Sequence, residues 1–328
     1  MNQMHAKPLV GLTLVIALAT AACDDAQPLD PAAGGEALFG LAEHGGGPPG
    51  SIVFYSARDG NLEIYAMNAD GSAQRRVTDD PAEDIWPDLS PNGRYVAFAS
   101  TRTGNREIFV QDLMTESPPV NVSQSFGDDD WPRWSPNGRE IAFHSNRDGN
   151  YELYVARADG TGSPRRVTNN ALLDQWPDWS PDGKHLAFRR GMDIWVIDAG
   201  VEETNPRQLT FLPTLDQMPV WSPSGKHLAF MSFRDGYCSV FVMEAAGDLP
   251  ESPAANLTPK NALDLNSAWC SRAPAWSRDG QEIYFMSFRP ATGGSGPSFN
   301  EIFVMNADGS NVRRLTTSPL EDGGPQVR

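Results

Sequence analysis

One phrase recurs along this chain with small changes. It reads PRWSPNGREIAF at 132–143, PDWSPDGKHLAF at 177–188 and PVWSPSGKHLAF at 219–230. Its Ser-Pro-x-Gly element starts at Ser90, Ser135, Ser180 and Ser222, with a degenerate SRDG at Ser277, giving steps of 45, 45, 42 and 55 residues. Self-similarity at that period means stacked structural units, which constrains the fold more than any single motif does.

Each unit carries four strand signals. A short P-x-W segment runs into the S-P-x-G turn, where Pro presets one backbone angle and Gly supplies a positive one. An alternating apolar strand follows, such as EIAFHS, then a hairpin such as RDGN, where Asp-Gly favours tight reversal. A third strand such as ELYVAR and a fourth ending in RRVT complete the unit. Four antiparallel strands with aromatics at fixed places predict a β-propeller blade.

Third strands occur six times, so six blades are expected over residues 51–328. The first unit lacks its P-x-W strand, and the chain ends in an unmatched copy, DGGPQVR. The expected fold is all-β: a six-bladed β-propeller of four-stranded antiparallel blades, closed by a C-terminal strand that completes the first blade. Closure removes exposed sheet edges, and each blade buries its faces only against its neighbours.

The composite pattern is D-x-x-P-x-W-S-P-D-G, then I-A-F-x-S-x-R-D-G-N-x-E-I-Y-V-M-N-A-D-G-S and R-x-L-T. It resembles the propeller repeats of the TolB family over residues 51–328. That resemblance implies a periplasmic protein of a bacterial envelope system whose propeller contacts other proteins. The α/β domain that precedes the TolB propeller has no counterpart in residues 1–50. The expectation is a lipoprotein with a TolB-type propeller, serving as a non-catalytic protein-binding or scaffolding module.

Residues 1–22 read as a signal peptide: Lys7 precedes the apolar run PLVGLTLVIALATAA, which is too short to span a bilayer comfortably. The run ends in ATAAC, and Cys23 resembles a lipobox cysteine that is lipidated after cleavage. Ordinary cleavage near Ala22 is the alternative. Residues 24–50, rich in Gly, Pro, Ala and acid, read as a tether. The expected location is the bacterial cell envelope, lipid-anchored, facing the periplasm or the exterior.

The formal net charge of −16 and the lack of a basic patch argue against nucleic acid as a partner. No G-x-S-x-G, H-E-x-x-H, Walker loop or paired-cysteine zinc spacing occurs, so neither an enzyme nor a cofactor or metal is expected. A monomer is expected. The alternative reading is a carbohydrate-binding or polysaccharide-degrading propeller, a lyase or hydrolase.

The repeat places Asp84, Asp129, Asp174, Asp216 and Asp322, with Ser271 in blade six, at the start of each first strand. The hairpins supply Arg58, Arg102, Arg147, Arg234 and Arg289, with Arg189 or Arg190 in blade four. Both series fall on the face that carries the RDGN hairpins and the interblade connections, here called the upper face. The expectation is a ring at the upper channel mouth in which each Asp pairs with an Arg. The functional alternative is a cation site or a dock for basic groups.

Trp134, Trp179, Trp221 and Trp276 recur at one strand position and read as packing between blades. Trp86, Trp131 and Trp176, just before the Pro, lie nearer the loops. His144 stands alone in a strand and reads as structural. Cys238 and Cys270, both on upper-face segments, are expected to form a disulfide in an oxidising envelope. The second-to-third-strand connection is short in blade four, from Phe188 to Ile194, and long in blade six, from Phe285 to Ile302. An envelope-protein partner is therefore expected over the upper face of blades four to six.

Overall fold

Blade three shows how one repeat folds. Its strands are Asp129–Trp134, Glu140–Ser145, Glu152–Arg157 and the short Arg165–Arg166, paired antiparallel in chain order. The computed structural model describes residues 52–245, 253–259, 270–288 and 299–327. Those residues form six four-stranded antiparallel sheets and no helix. The segment 1–51, Arg289 and most of the blade-six insert lie outside the described residues, as do the expected signal peptide, Cys23 and the tether.

The ring closes as the sequence pattern implies. Asp322–Val327 pairs with Ile52–Ser56 and becomes the first strand of blade one. The first strands contact one another in sequence all the way round, so they form the inner wall. The apolar stripes of the second and third strands fill the spaces between blades. Phe54, Phe98, Phe143, Phe188, Phe230 and Phe285, one per blade, are all fully buried.

Every first strand bulges at the same point. The pairing register shifts between Ile85 and Asp88 in blade two and at the equivalent place in the other blades with a regular first strand. The residue two after the opening Asp or Ser takes a left-handed backbone: Trp86, Trp131, Trp176, Met218, Ala273 and Gly324 have φ between 51° and 58°. For a non-glycine residue this costs about 1–2 kcal/mol. The bulge turns these side chains toward the ring axis. Glycine suits blade one because a Cβ at Gly324 would meet Trp86 Cε3 and Tyr55 Cε1, each at 2.9 Å.

The interblade tryptophans also reach their neighbours by hydrogen bonds. Trp134 Nε1 donates to the Asp88 carbonyl at 3.1 Å, Trp179 Nε1 to Arg133 at 3.1 Å and Trp276 Nε1 to Val220 at 3.3 Å. Each bond ties one first strand to the preceding one.

Candidate functional site

The aspartates of the ring are buried below the mouth and do not line it. Asp84, Asp129, Asp174, Asp216 and Asp322 are all 0% exposed. Each takes a charge-assisted bond from an arginine of its own blade: Arg102–Asp84 at 2.9 Å, Arg147–Asp129 at 2.9 Å, Arg234–Asp216 at 2.6 Å and Arg58–Asp322 at 2.9 Å. In blade four the partner is Arg190, at 2.7 Å from Asp174. The guanidinium also lies over two aromatic rings, as Arg147 does over Phe143 and Tyr154 at 5.4 and 4.5 Å. In blade six Ser271 Oγ lies 3.0 Å from Ser287 Oγ. Burial raises the proton affinity of Asp84, Asp174 and Asp322 despite these partners, and lifts Asp129 to about 6.

A second buried acid series begins the third strands. Glu152 Oε2 accepts from Thr168 Oγ1 at 2.6 Å, while its Oε1 accepts from the Asn170 backbone N–H at 2.8 Å. The carboxylate thus holds the end of the fourth strand and the connection to the next blade. Glu63–Thr78, Glu107–Ser123 and Glu301–Thr316 repeat the 2.6 Å bond. The first Glu of the third strand and the closing Thr or Ser are both in the repeat, but only the fold shows that they meet. Glu152, Asp174 and Glu203 also converge, yet Arg190 bonds both Asp174 and Glu203, so their charge is already met.

The feature that breaks the repeat is a cavity of about 380 Å³ at the upper mouth, beside blades two to four. Trp131, Met218 and Ala273 share one apolar cluster, so side chains from opposite sides of the ring fill the axis at this level. Trp86 and Trp131 lie with ring centroids 4.4 Å apart, and Trp176 is edge-on to Trp131 at 6.4 Å. Trp131 is only 3% exposed, and Trp86 and Trp176 are half-buried. These three therefore form the lining and floor of the cavity, where the sequence placed them only near the loops.

Beside them sits a polar group that no other blade shows among the described residues. Asp130 and His144 are direct cross-strand partners in blade three. Asp130 accepts from Arg106 Nη1 at 3.0 Å and from the Trp131 backbone N–H at 2.9 Å. Its burial lifts the carboxyl to about 6. His144 Nδ1 accepts from the Trp176 backbone N–H at 3.4 Å, and the ring meets Tyr151 edge-on at 5.2 Å. Burial, helped by Arg189 and Arg106, lowers His144 to about 3, so its ring is neutral and carries its proton on Nε2. In the next blade Arg189 bonds Gln175 and lies 4.4 Å over the Trp176 ring. In the sequence Asp130 is passed over and the lone His144 reads as structural, because each occurs once. Their uniqueness within a repeat was the available signal.

The lower mouth is a smaller cavity of about 270 Å³, where Arg133 lies 3.9 Å from Asp88 and 3.6 Å from Asp178. On the upper rim, Cys238 of blade five and Cys270 before blade six are joined by a disulfide. Leu172, Leu173, Met192, Phe211, Leu212 and Phe233 are exposed on the upper connections and hairpins from blade three to blade five.

The TolB beta propeller domain family matches residues 85–192. A TolB homolog from Chlorobium luteolum is 36% identical over 66 residues, which are 20% of this chain and 15% of that protein. The match thus spans a small part of that relative. The crystal structure of TolB from Acinetobacter baumannii is similar with a TM-score of 0.64 at 20% identity, covering 85% of this chain and 67% of the other. An oligogalacturonate lyase in complex with manganese is similar with a TM-score of 0.51 at 16% identity, covering 80% of this chain and 73% of the other. Likeness at such identities speaks for the fold alone. The chain therefore carries a six-bladed propeller in which residues 85–192 match the TolB beta propeller domain family.

Proposed function

We propose that this propeller is a protein-binding module of the bacterial cell envelope, held near a membrane by a lipid on Cys23. The observation that carries the reading is the set of exposed apolar side chains on the upper connections around blade four. Leu172 is 52%, Met192 51% and Phe211 54% exposed. Hydrogen bonds between the segments keep them together: Gly191 N–H donates to the Leu173 carbonyl at 3.1 Å and Asp216 N–H to that of Met192 at 2.8 Å. Clustered exposed apolar groups rimmed by polar ones mark interaction sites. Blade four reverses its hairpin with only Gly191 and Met192 between paired Arg190 and Asp193, which lowers the rim there. The fitting partner is an envelope protein that offers apolar side chains with basic flanks to this acidic chain.

The test is photo-crosslinking in the native envelope, with a probe at Phe211 and a control at Asn137 on the lower face. One protein captured at Phe211, absent at Asn137 and lost with Met192→Asp supports the reading. Equal capture at both positions, or capture that survives Met192→Asp, overturns it. A catalytic reading, a lyase or hydrolase on a polysaccharide, draws on the Asp130 and His144 cluster, which is singular as a catalytic group must be. A histidine held near 3 is a weak base at neutral pH, so the binding reading is favoured.

A further inference from the structure

We propose that the upper cavity beside blades two to four binds a neutral sugar unit, of pyranose class, through its aromatic walls and the indole and imidazole N–H groups of Trp131 and His144. The repeat needs the bulge but not the indoles. Met218, Ala273 and Gly324 serve the same backbone position in blades five, six and one. Three successive tryptophans, with Tyr151 beside them, therefore add planar apolar surface that closing the ring does not require. Trp86, Trp176 and Tyr151 are half-buried and keep part of that surface open.

The floor offers N–H donors. Trp131 is 3% exposed and its Nε1–H has no hydrogen-bond partner among the described residues. His144 is 4% exposed and its Nδ1 is used by the Trp176 N–H, which leaves Nε2–H as the donor of its neutral ring. A buried donor left unpaired costs about 1–3 kcal/mol, so an acceptor oxygen placed there recovers that loss. Both residues line the same cavity, whose volume of about 380 Å³ falls in the range of small-molecule sites.

The charges decide which ligand class fits. Asp130 is bonded to Arg106, and Arg189 to Gln175. Glu321 accepts from Tyr55 at 3.5 Å and from Asn300 at 2.9 Å. His144 is neutral. A cation entering would meet Arg106, and an anion would meet Asp130 and Glu321, so neither sign is recruited. Aromatic faces, N–H donors and the Gln175 amide suit the C–H faces and hydroxyl oxygens of a neutral sugar.

The test titrates the full chain with methyl glucopyranoside, N-acetylglucosamine and cellobiose, with methyl glucuronide and tetramethylammonium as charged controls. Saturation-transfer NMR and tryptophan fluorescence report binding. The expected result is saturable binding of at least one neutral sugar. Tyr151→Ala and Trp131→Phe, which keeps a six-membered aromatic ring but removes the N–H with its pyrrole ring, each weaken it about tenfold. Thermal melts confirm that both variants stay folded. Absence of neutral-sugar binding at tens of millimolar overturns the proposal. So does binding of only a charged control, or neutral-sugar binding unchanged in both variants. Protein capture at Phe211 is read separately in the same variants, so failure of the sugar site leaves the protein-docking reading standing, and the reverse.

Discussion

Arg190 stands directly across the strand pair from Asp174, where the other blades with an Asp–Arg pair place a serine. Those blades bring their arginine from two residues further along the hairpin. The shortened blade-four hairpin has no such position, and Arg190 reaches the carboxylate from the strand itself, at 2.7 Å. Its side chain is 7% exposed against 17% for Arg102. Arg190→Leu leaves the buried Asp174 without its counter-ion, so urea denaturation should show a loss of about 3–5 kcal/mol, larger than for Arg102→Leu. Equal losses would mean that burial does not set the cost.

The glutamate clasp varies in strength between blades. Thr168 Oγ1 lies 2.6 Å from Glu152, whereas Thr210 Oγ1 lies 3.5 Å from Asp193. Both hydroxyls also accept a backbone N–H at 2.9 Å, from Leu153 and Ile194. Thr→Val at either site removes that acceptor. The Thr168→Val loss should exceed the Thr210→Val loss by about 1 kcal/mol, the difference made by the carboxylate bond. Matching denaturation midpoints for the two variants would contradict this.

Much of this fold can be read from the repeat because the same local choices are made six times. The S-P-x-G turns, the alternating second strands and the unmatched DGGPQVR segment all demand one closed ring. The one-to-one count of Asp and Arg reflected pairs that do form. What the repeat hid were tertiary consequences of register. Alternation cannot show a bulge, so Trp86, Trp131 and Trp176 looked like rim residues until the left-handed backbone turned them inward. Aligning the blades also averages away single substitutions. Asp130 and His144 come from two strands of blade three and Arg106 from the blade-two hairpin, and only the fold brings them together.

Asp130 and His144 should give opposite pH dependences. Asp130 rises from the ordinary 3.8 to about 6, so the native state binds a proton more tightly than the unfolded chain, and stability grows as pH falls through 6. His144 falls from 6.5 to about 3, so the unfolded chain binds the proton first and stability is lost as pH falls below 6.5. Arg106 acts on both groups, Arg189 on His144 and Asp128 on Asp130. Between neutral pH and about pH 5 the histidine removes about 2 kcal/mol and the aspartate returns about 1. His144→Gln should therefore improve stability at the acid end relative to the parent, and Asp130→Asn should worsen it. Urea midpoints at both pH values check the signs, and two parallel profiles would refute the assignment.

The Cys238–Cys270 disulfide joins the blade-five hairpin to the start of the blade-six first strand, across a sequence separation of 32 residues. The same segments are already hydrogen-bonded, Ser271 N–H to the Cys238 carbonyl at 3.2 Å. Its contribution should therefore come mainly from restricting the unfolded chain, about 4 kcal/mol for a loop of this size. Cys238→Ser with Cys270→Ser should lower the denaturation midpoint while leaving the amide NMR spectrum beyond blades five and six unchanged. An altered spectrum would instead give the bond a shaping role in the native state.

The last strand should control the whole ring. Removing 322–328 deletes the inner strand of blade one, the partner of Ile52–Ser56, and with it Asp322, the counter-ion of Arg58. It also breaks the circle of first-strand contacts between blades six and two. A blade gains its burial from both neighbours, so the loss should spread beyond blade one. The truncated chain is expected to associate through its exposed sheet edge, visible by size-exclusion chromatography, and to melt well below the parent. Adding the peptide DGGPQVR should restore the parent's elution volume by supplying the missing strand. A monomeric truncation that melts with the parent would show that the ring is held without its closing strand.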